Sequence, residues 1–466
     1  MDKKHIHFIG ICGVGMSALA ILWQKKGWRV TGSDVGFYPP VSTHLNDHKI
    51  SYYPGWHVEK MGKPDLVIIG NVAGNENPEL KHVLENNIPH LSYPELIAQN
   101  LIKQNSIVCA GTFGKTTTTA MLAFVLKEAN LDPAYMFGGI SNSLSLSADD
   151  LGGDYSVIEG DEYKTSRDDL RAKFFSYHPT HLLLTGIKWD HADVYPTQES
   201  YLEAFKKLVS SVPTKGLIVA CIDDENIKKI LTLANAPVVT YGHEKSNYIY
   251  EDIVQSKNGI EFTIENFGEA YNISSPMLGD FTAKNICGVF IMAKELGVEP
   301  KRIIEAIKKF QGIKRRLDKR GQTVLGADVY DDIAHSPAKA QAVLTTLKNI
   351  YRGKIYAVFE PNTGNRQTES FADYDHRFAN ADEVIIPRLT KIKTPGSIEG
   401  KELSELIAKT HPNVRYFDQD EELVDYLKKQ TQADDAIIFM GSHSFRGMID
   451  ELIKKYEAST TGKKSF

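Results

Sequence analysis

Val108-Cys109-Ala110-Gly111-Thr112-Phe113-Gly114-Lys115-Thr116-Thr117-Thr118 is the stretch on which the reading of this 466-residue chain turns. A strand-like run, Ser106–Ala110, leads into two glycines, a lysine and a string of threonines, and a helical pattern over Thr116–Ala129 follows. Strand, glycine turn and helix in that order make a phosphate-binding loop. Backbone amides cradle the phosphates, the lysine neutralises β/γ oxygens, and the next hydroxyl holds Mg²⁺. Two residues, not the usual four, separate the glycines. At background composition GxxGK[ST] arises in about two of every hundred chains this long, and a helix cap, which also favours threonine, does not call for Gly-Lys. The stretch predicts ATP chemistry on an α/β fold.

Outward from it, short β-branched runs alternate with longer amphipathic segments. Strands are expected at His5–Ile9, Leu66–Ile69, Tyr155–Glu159, His181–Leu184, Leu217–Cys221, Ile355–Phe359, Glu383–Ile386 and Ala436–Met440. Helices are expected at Ser200–Val209, Pro300–Phe310, Pro337–Ile350 and Glu421–Thr431. Such alternation implies parallel, helix-covered sheets, because parallel strands need crossover connections. A second glycine turn, Gly10-Ile11-Cys12-Gly13-Val14-Gly15, opens another α/β unit, and a basic run ending near Lys319 precedes a third strand-helix series. Three domains follow: 1–103, 104–318 and 319–466.

Glycines at a helix start let backbone amides approach a phosphate. Asp34 ends the next strand, nineteen residues after Gly15, where an acidic group commonly binds a ribose hydroxyl. The spacing is GxxGxG rather than GxGxxG, so the turn predicts a nucleotide-diphosphate site with no ligand specified; a tight turn without a ligand is the alternative.

Composition narrows the classes. Hydrophobic residues at 42% and charged residues at 24% are those of a globular protein, and a net charge of -5 advertises neither nucleic acid nor an anionic membrane. Cys12, Cys109, Cys221 and Cys287 are scattered, which suggests neither a disulfide framework nor a zinc site. Lys3 and Lys4 before the uncharged stretch Ile9–Trp23 superficially suggest a targeting signal, but Gly10, Gly13 and Gly15 interrupt it. A cytoplasmic protein is expected, with a polar tail at Ala458–Phe466.

Further chemistry-bearing groups follow the phosphate loop. Glu159, Asp161 and Glu162 follow one strand, and Asp190-His191-Ala192-Asp193 another. Carboxyl ends of parallel strands meet at one sheet edge, so Glu159 with His191 could hold Mg²⁺; taken alone, these acids read better as solvated loops. Lys314-Arg315-Arg316 could clamp phosphates, with a solvated charge run as the bland reading. Asp331-Asp332-Ile333-Ala334-His335-Ser336-Pro337 lies between strand and helix, and its Ser-Pro also suits a plain helix start.

With these residues assembled, the chain resembles the Mur ligases, the ATP-dependent amide-forming family of peptidoglycan synthesis, over essentially its whole length. The family's GTxGKTT loop is matched by Gly111–Thr117, its metal-binding Glu by Glu159, and its Asp-His pair by Asp190-His191. The resemblance implies an α/β, three-domain Mur ligase architecture: a Rossmann-like N-terminal domain binding UDP-N-acetylmuramate, a central P-loop ATPase domain, and a Rossmann-like C-terminal domain for peptide binding and closure. It implies ATP and Mg²⁺ as cofactors. Gly111, Thr112, Gly114, Lys115, Thr116, Thr117, Asn285 and Arg316 would bind ATP, and Thr116, Glu159 and His191 the metal. Gly10, Gly13, Gly15, Met16, Ser33, Asp34 and Asn71 would bind the muramyl nucleotide. Lys115, His191, Arg316, Asp332 and His335 would be catalytic, the last two being candidates for the amine's base.

Two muramate-using branches compete, one adding L-alanine and one adding a murein peptide, L-alanyl-γ-D-glutamyl-meso-diaminopimelate, in cell-wall recycling. Tyr38-Pro39-Pro40-Val41-Ser42-Thr43, Ile69-Gly70-Asn71, the loosely similar Ser442–Gly447 and above all the long segment from Glu162 to Phe174 look like the peptide-adding branch. Departures are Phe113 where His is usual, Thr185-Gly186 before the Asp-His, Phe281-Thr282 in the motif ending at Asn285, Ser336 for a second His, and Asn362 after Glu360-Pro361. They leave open the alanine-adding reaction, an inactive muramyl-nucleotide binder and, more remotely, a nicotinamide-dependent dehydrogenase. Neither nucleic acid nor membrane is an expected partner. Oligomeric state and modification of Lys206 are left open.

Overall fold

The computed structural model describes residues 3–37, 41–166, 169–191, 194–391 and 396–453. Tyr38-Pro39-Pro40, Ala192-Asp193 and the tail Ala458–Phe466 lie outside the described residues.

One sheet falls in each third of the chain. β1 (His5–Ile9), β2 (Arg29–Asp34), β3 (Ser51–Pro54), β4 (Leu66–Ile69) and β5 (His90–Ser92) run in the order β3-β2-β1-β4-β5, every neighbouring pair parallel. Strand β1 is buried along its whole length, as expected of a parallel strand covered on both faces. The uncharged stretch Ile9–Trp23 resolves into a strand end, the glycine turn and helix Val14–Lys25, in which Met16–Trp23 are all buried. Its apolarity is that of a core helix.

The second sheet has ten strands: β6 (Asn105–Ala110), β7 (Ala134–Met136), β8 (Ala148–Asp150), β9 (Tyr155–Gly160), β10 (His181–Leu184), β11 (Leu217–Cys221), β12 (Val238–Gly242), β13 (Tyr248–Ser256), β14 (Gly259–Asn266) and β15 (Glu269–Ser275). They lie in the order β15-β14-β13-β12-β11-β10-β6-β9-β7-β8. The centre is parallel, as the alternation predicts, but β7–β8 and β14–β15 are antiparallel. The β14–β15 turn is made by Phe267 (φ 50°) and Gly268 (φ 89°). Hairpin turns with two positive φ values normally advertise themselves as Asn-Gly; a phenylalanine in that place hides this one from the sequence.

In the last third, β16 (Asp318–Gln322), β17 (Asp328–Asp332), β18 (Ile355–Glu360), β19 (Glu383–Ile386), β20 (Val414–Tyr416) and β21 (Ala436–Gly441) are ordered β16-β17-β21-β18-β19-β20, antiparallel only at β16–β17.

The chain divides into two compact units, residues 1–254 with 258–313, and residues 255–257 with 314–466. Within the first unit, Phe8 and Leu22 belong to the same buried apolar cluster as Leu182 and Phe205. The first and second sheets therefore share a core, and Lys25 pairs with Asp149 at 2.7 Å beside it. Helices Lys115–Glu128 and Asp280–Glu295 cover the other face of the second sheet. Gly288 brings the latter so close that a Cβ there would stand 2.9 Å from the Leu183 side chain. Leu183 is fully buried, and Leu183→Ala is expected to lower the unfolding free energy by about 3 kcal/mol, measured as a urea midpoint shift.

Candidate active site

The phosphate loop is held by the end of β10 and by helix Asp280–Glu295. Gly111 has φ 138°, and a Cβ there would collide with the Thr185 hydroxyl. Gly114 has φ 81°, and its Cβ would lie 2.5 Å from Asn285 Oδ1. Both positions thus demand glycine for conformation and for space. Thr112 N–H donates to the Gly186 carbonyl at 2.7 Å, its hydroxyl to the Lys188 carbonyl at 2.7 Å, and the Thr185 hydroxyl to the Phe113 carbonyl at 2.6 Å. Thr185-Gly186, a departure from the family pattern, braces the loop from below. Phe113 itself is half exposed, as is Phe281. Helix Lys115–Glu128 begins at the lysine, so its unpaired N-terminal amides face the loop.

Sheet order brings the acidic segments alongside. β9 and β10 flank β6, with Cys109 opposite Glu159 in register. The Thr116 hydroxyl donates to Glu159 Oε1 at 2.8 Å and Gly138 N–H to Oε2 at 2.6 Å. Burial pushes the Glu159 carboxyl above its ordinary range despite these donors and Lys115. Burial acts on Asp161 in the same direction, but Lys173 at 2.5 Å, with help from Lys115, outweighs it and holds that carboxyl low. Glu162, 1% exposed, lies 2.7 Å from Lys115 Nζ and 3.4 Å from His191 Nε2. That contact raises the His191 imidazole above its usual value against the effect of burial. Glu162 is therefore not the solvated acid that the bland reading favoured, and Glu159 and Asp161, though partly exposed, are engaged by specific donors. Their cations sit in other segments, and this could not be read locally.

Two hard oxygens, Thr116 Oγ1 and Glu159 Oε1, stand together at the mouth of the loop. This donor set fits Mg²⁺, which keeps waters and takes phosphate oxygens for its remaining sites. Among the described residues no group of three His, Cys, Asp or Glu side chains converges as a metal site by itself.

In the first sheet the carboxyl ends of β1, β2 and β4 gather Gly10, Ser33, Asp34 and Asn71 at one edge. Gly10 N–H donates to the Ser33 carbonyl at 2.8 Å, Gly13 precedes the helix, Met16 is buried beneath the turn, and a Cβ on Gly15 would lie 2.5 Å from Tyr93 Oη. Asp34 accepts Cys12 N–H at 2.8 Å and Val35 N–H at 2.7 Å, so both its oxygens fasten the turn. Beneath lies a carboxylate that the sequence reading passed over. Glu79, fully buried, accepts from the Ser33 and Tyr53 hydroxyls and from His57 N–H, tying the ends of β2 and β3 together. Its local signal was the helix start Asn77-Pro78-Glu79.

In the second compact unit, Asp332 is buried, and its oxygens accept Leu317 N–H and Ala334 N–H, each at 2.7 Å. Burial raises its carboxyl despite Arg316 nearby. His335 Nδ1 and the Ile333 carbonyl share a 2.8 Å hydrogen bond. Ser336 stands at the N-cap position of helix Pro337–Ile350 without a side-chain capping hydrogen bond, and the helix starts where the Ser-Pro reading places it. Within the basic run, Arg315 donates to the Gly441 carbonyl at 2.5 Å and the His443 carbonyl at 2.8 Å, whereas Lys314 and Arg316 are exposed. Glu360, fully buried, pairs with Arg446 at 3.3 Å, linking the ends of β18 and β21. In the first unit, Lys206 pairs with Glu199 and Glu203 on the exposed face of its own helix.

Comparison with known proteins matches this arrangement domain by domain. The Mur ligase family catalytic domain matches residues 5–104, the Mur ligase middle domain residues 109–293, and the Mur ligase glutamate ligase domain residues 315–443. The chain belongs to the Mur ligase family. It is an ATP-dependent amide-bond-forming ligase with that family's three α/β domains. The ligase is 31% identical over 461 residues, 97% of this chain and 99% of the relative, to a UDP-N-acetylmuramate–L-alanyl-γ-D-glutamyl-meso-2,6-diaminoheptandioate ligase of Haemophilus influenzae. It is equally 31% identical over 447 residues, 94% of this chain and 95% of the relative, to a UDP-N-acetylmuramate–L-alanine ligase of Alkaliphilus metalliredigens. The crystal structure of a UDP-N-acetylmuramate–alanine ligase of Thermotoga maritima matches with TM-score 0.81 at 25% identity, over 98% of this chain and 100% of that one. Overall similarity leaves the acceptor open. Among the described residues no helix is long and apolar enough to cross a membrane.

Gly114→Ala places a methyl group against Asn285 at a left-handed position. It is expected to weaken ATP binding at least about tenfold and to lower the thermal midpoint by several degrees, read by calorimetry and thermal melts.

Proposed function

We propose that this Mur ligase joins UDP-N-acetylmuramate to the amine of a murein peptide, L-alanyl-γ-D-glutamyl-meso-diaminopimelate, in peptidoglycan recycling in the cytoplasm. The observation that carries this reading is the loop from Glu162 to Phe174. Among its described residues, 162–166 and 169–174, Lys164 and Ala172 form a bridge, Thr165 N–H donates to the Arg171 carbonyl, and Glu162 faces Lys115 and His191. The alanine-adding branch, which this segment resembles less, is shorter there.

The chemistry follows from the groups at the loop. The lactyl carboxylate of the muramyl nucleotide attacks the γ-phosphorus of ATP, ADP leaves, and an acyl phosphate forms. The peptide amine then attacks the acyl carbon, phosphate leaves with the bonding pair, and the amine gives up a proton. The Lys115 ammonium offsets charge on the transferring phosphoryl group, with the loop's amides and those of helix Lys115–Glu128 around it. Thr116 and Glu159, with His191, would hold Mg²⁺, which supplies further charge neutralisation when bound. Gly10, Gly13, Gly15, Met16, Ser33 and Asn71 would seat the muramyl nucleotide in domain 1–103, with Asp34 shaping the turn. Asn285 would steady the loop in domain 104–318, and Arg316 and the Asp332–His335 segment would serve closure and the acceptor side of domain 319–466.

Equal identity to both kinds of relative and the 0.81 TM-score of an alanine-adding structure favour L-alanine addition as the second reading. Phosphate release from UDP-N-acetylmuramate and ATP, with tripeptide or L-alanine as acceptor and Lys115→Ala as the inactive control, separates them. The tripeptide is expected to drive turnover at least about tenfold faster, a difference of about 1.4 kcal/mol in barrier. A preference for free alanine would overturn the peptide assignment.

A further inference from the structure

One buried carboxylate at this site has no part in the reaction as written. Glu162 is 1% exposed and pinned from both sides: its backbone carbonyl accepts the Tyr195 hydroxyl at 2.6 Å, and its carboxylate faces Lys115 and His191. Its neighbours are otherwise engaged, Asp161 with Lys173 and Tyr163 with its ring edge-on to His191 at 5.2 Å. Lys115 Nζ donates to Glu162 Oε1 at 3.0 Å. It also comes within 2.7 Å of Oε2, so the ammonium spans both carboxylate oxygens. A buried carboxylate needs its counter-ion, and the counter-ion here is the lysine that a phosphate loop must turn toward its nucleotide. One ammonium therefore has two anionic claimants.

We propose that Glu162 is a positioning residue that holds the Lys115 ammonium at the loop in the absence of nucleotide, yields it to the incoming phosphates, and keeps His191 in place throughout. Nucleotide binding must then displace this ion pair. Removing the Glu162 charge should free Lys115 for phosphate while depriving His191 of its anchor. Affinity and turnover then move in opposite directions, which simple damage to the fold does not produce.

The inference rests on the ATP-dependent reading of the loop but not on the identity of the acceptor. Calorimetry with the β,γ-imido analogue of ATP, on the full chain and without added metal, tests it independently of catalysis. Glu162→Gln is expected to bind the analogue about five- to tenfold more tightly than wild type, with kcat reduced at least about tenfold and KM for ATP lowered. Glu162→Asp, which keeps the charge, is expected to restore wild-type affinity and part of the turnover. Unchanged or weaker binding by Glu162→Gln with an intact thermal midpoint would overturn the proposal. So would equal loss of affinity in both variants, which would mark Glu162 as merely structural. If wild type itself bound no analogue, the ATP-dependent reading would fail, a result distinct from either of these.

Discussion

Three carboxylates stand within four positions at the end of β9, Glu162 buried and Glu159 and Asp161 partly so, and the site is built around the partners they need. An uncompensated buried charge costs several kcal/mol, so each acid needs a partner brought by the fold. Thr116 and Gly138 donate to Glu159, Lys173 meets Asp161, and Lys115 with His191 faces Glu162. Those partners come from the phosphate loop and its helix, from the segments after β7 and β10, and from the short helical turn Lys173–Tyr177. Satisfying the acids therefore fixes where Lys115, Thr116 and His191, the groups proposed to handle ATP and its metal, must stand.

The parallel sheet makes this possible. With β6 between β9 and β10, the carboxyl ends of all three open on one edge, and the glycine-lysine turn emerges between the acids and the Asp-His loop. The first sheet applies the same rule with different chemistry. There Asp34 fastens the glycine turn through the Cys12 amide, and Glu79 gathers hydroxyls from β2 and β3 beneath it.

Much of this was legible in the sequence, because the signals were local. Gly111–Thr117 marks its own turn and helix, and β1, β4, β10 and β19 begin and end where their apolar runs do. What escaped depends on long-range pairing. Glu162 looked like one more exposed acid until Lys115, 47 positions away, was placed beside it. Arg315 read as either a phosphate clamp or a solvated charge, yet it is spent on carbonyls at and just past the end of β21, more than 120 positions on. The β14–β15 hairpin was hidden by a phenylalanine where glycine or asparagine would have announced the turn. Residue type reveals a group's chemistry, whereas burial and partners decide whether that chemistry is spent on the fold or on a substrate.

In the proposed reaction the loop and its neighbouring acids activate a carboxylate by phosphorylating it. UDP-N-acetylmuramate labelled with ¹⁸O in its lactyl carboxylate tests this directly, with the isotope followed by mass spectrometry of the phosphate released during ligation. Passage through an acyl phosphate predicts one labelled oxygen in each phosphate. Unlabelled phosphate released during ligation, with the displaced labelled oxygen recovered in another product such as water, would rule out an acyl phosphate.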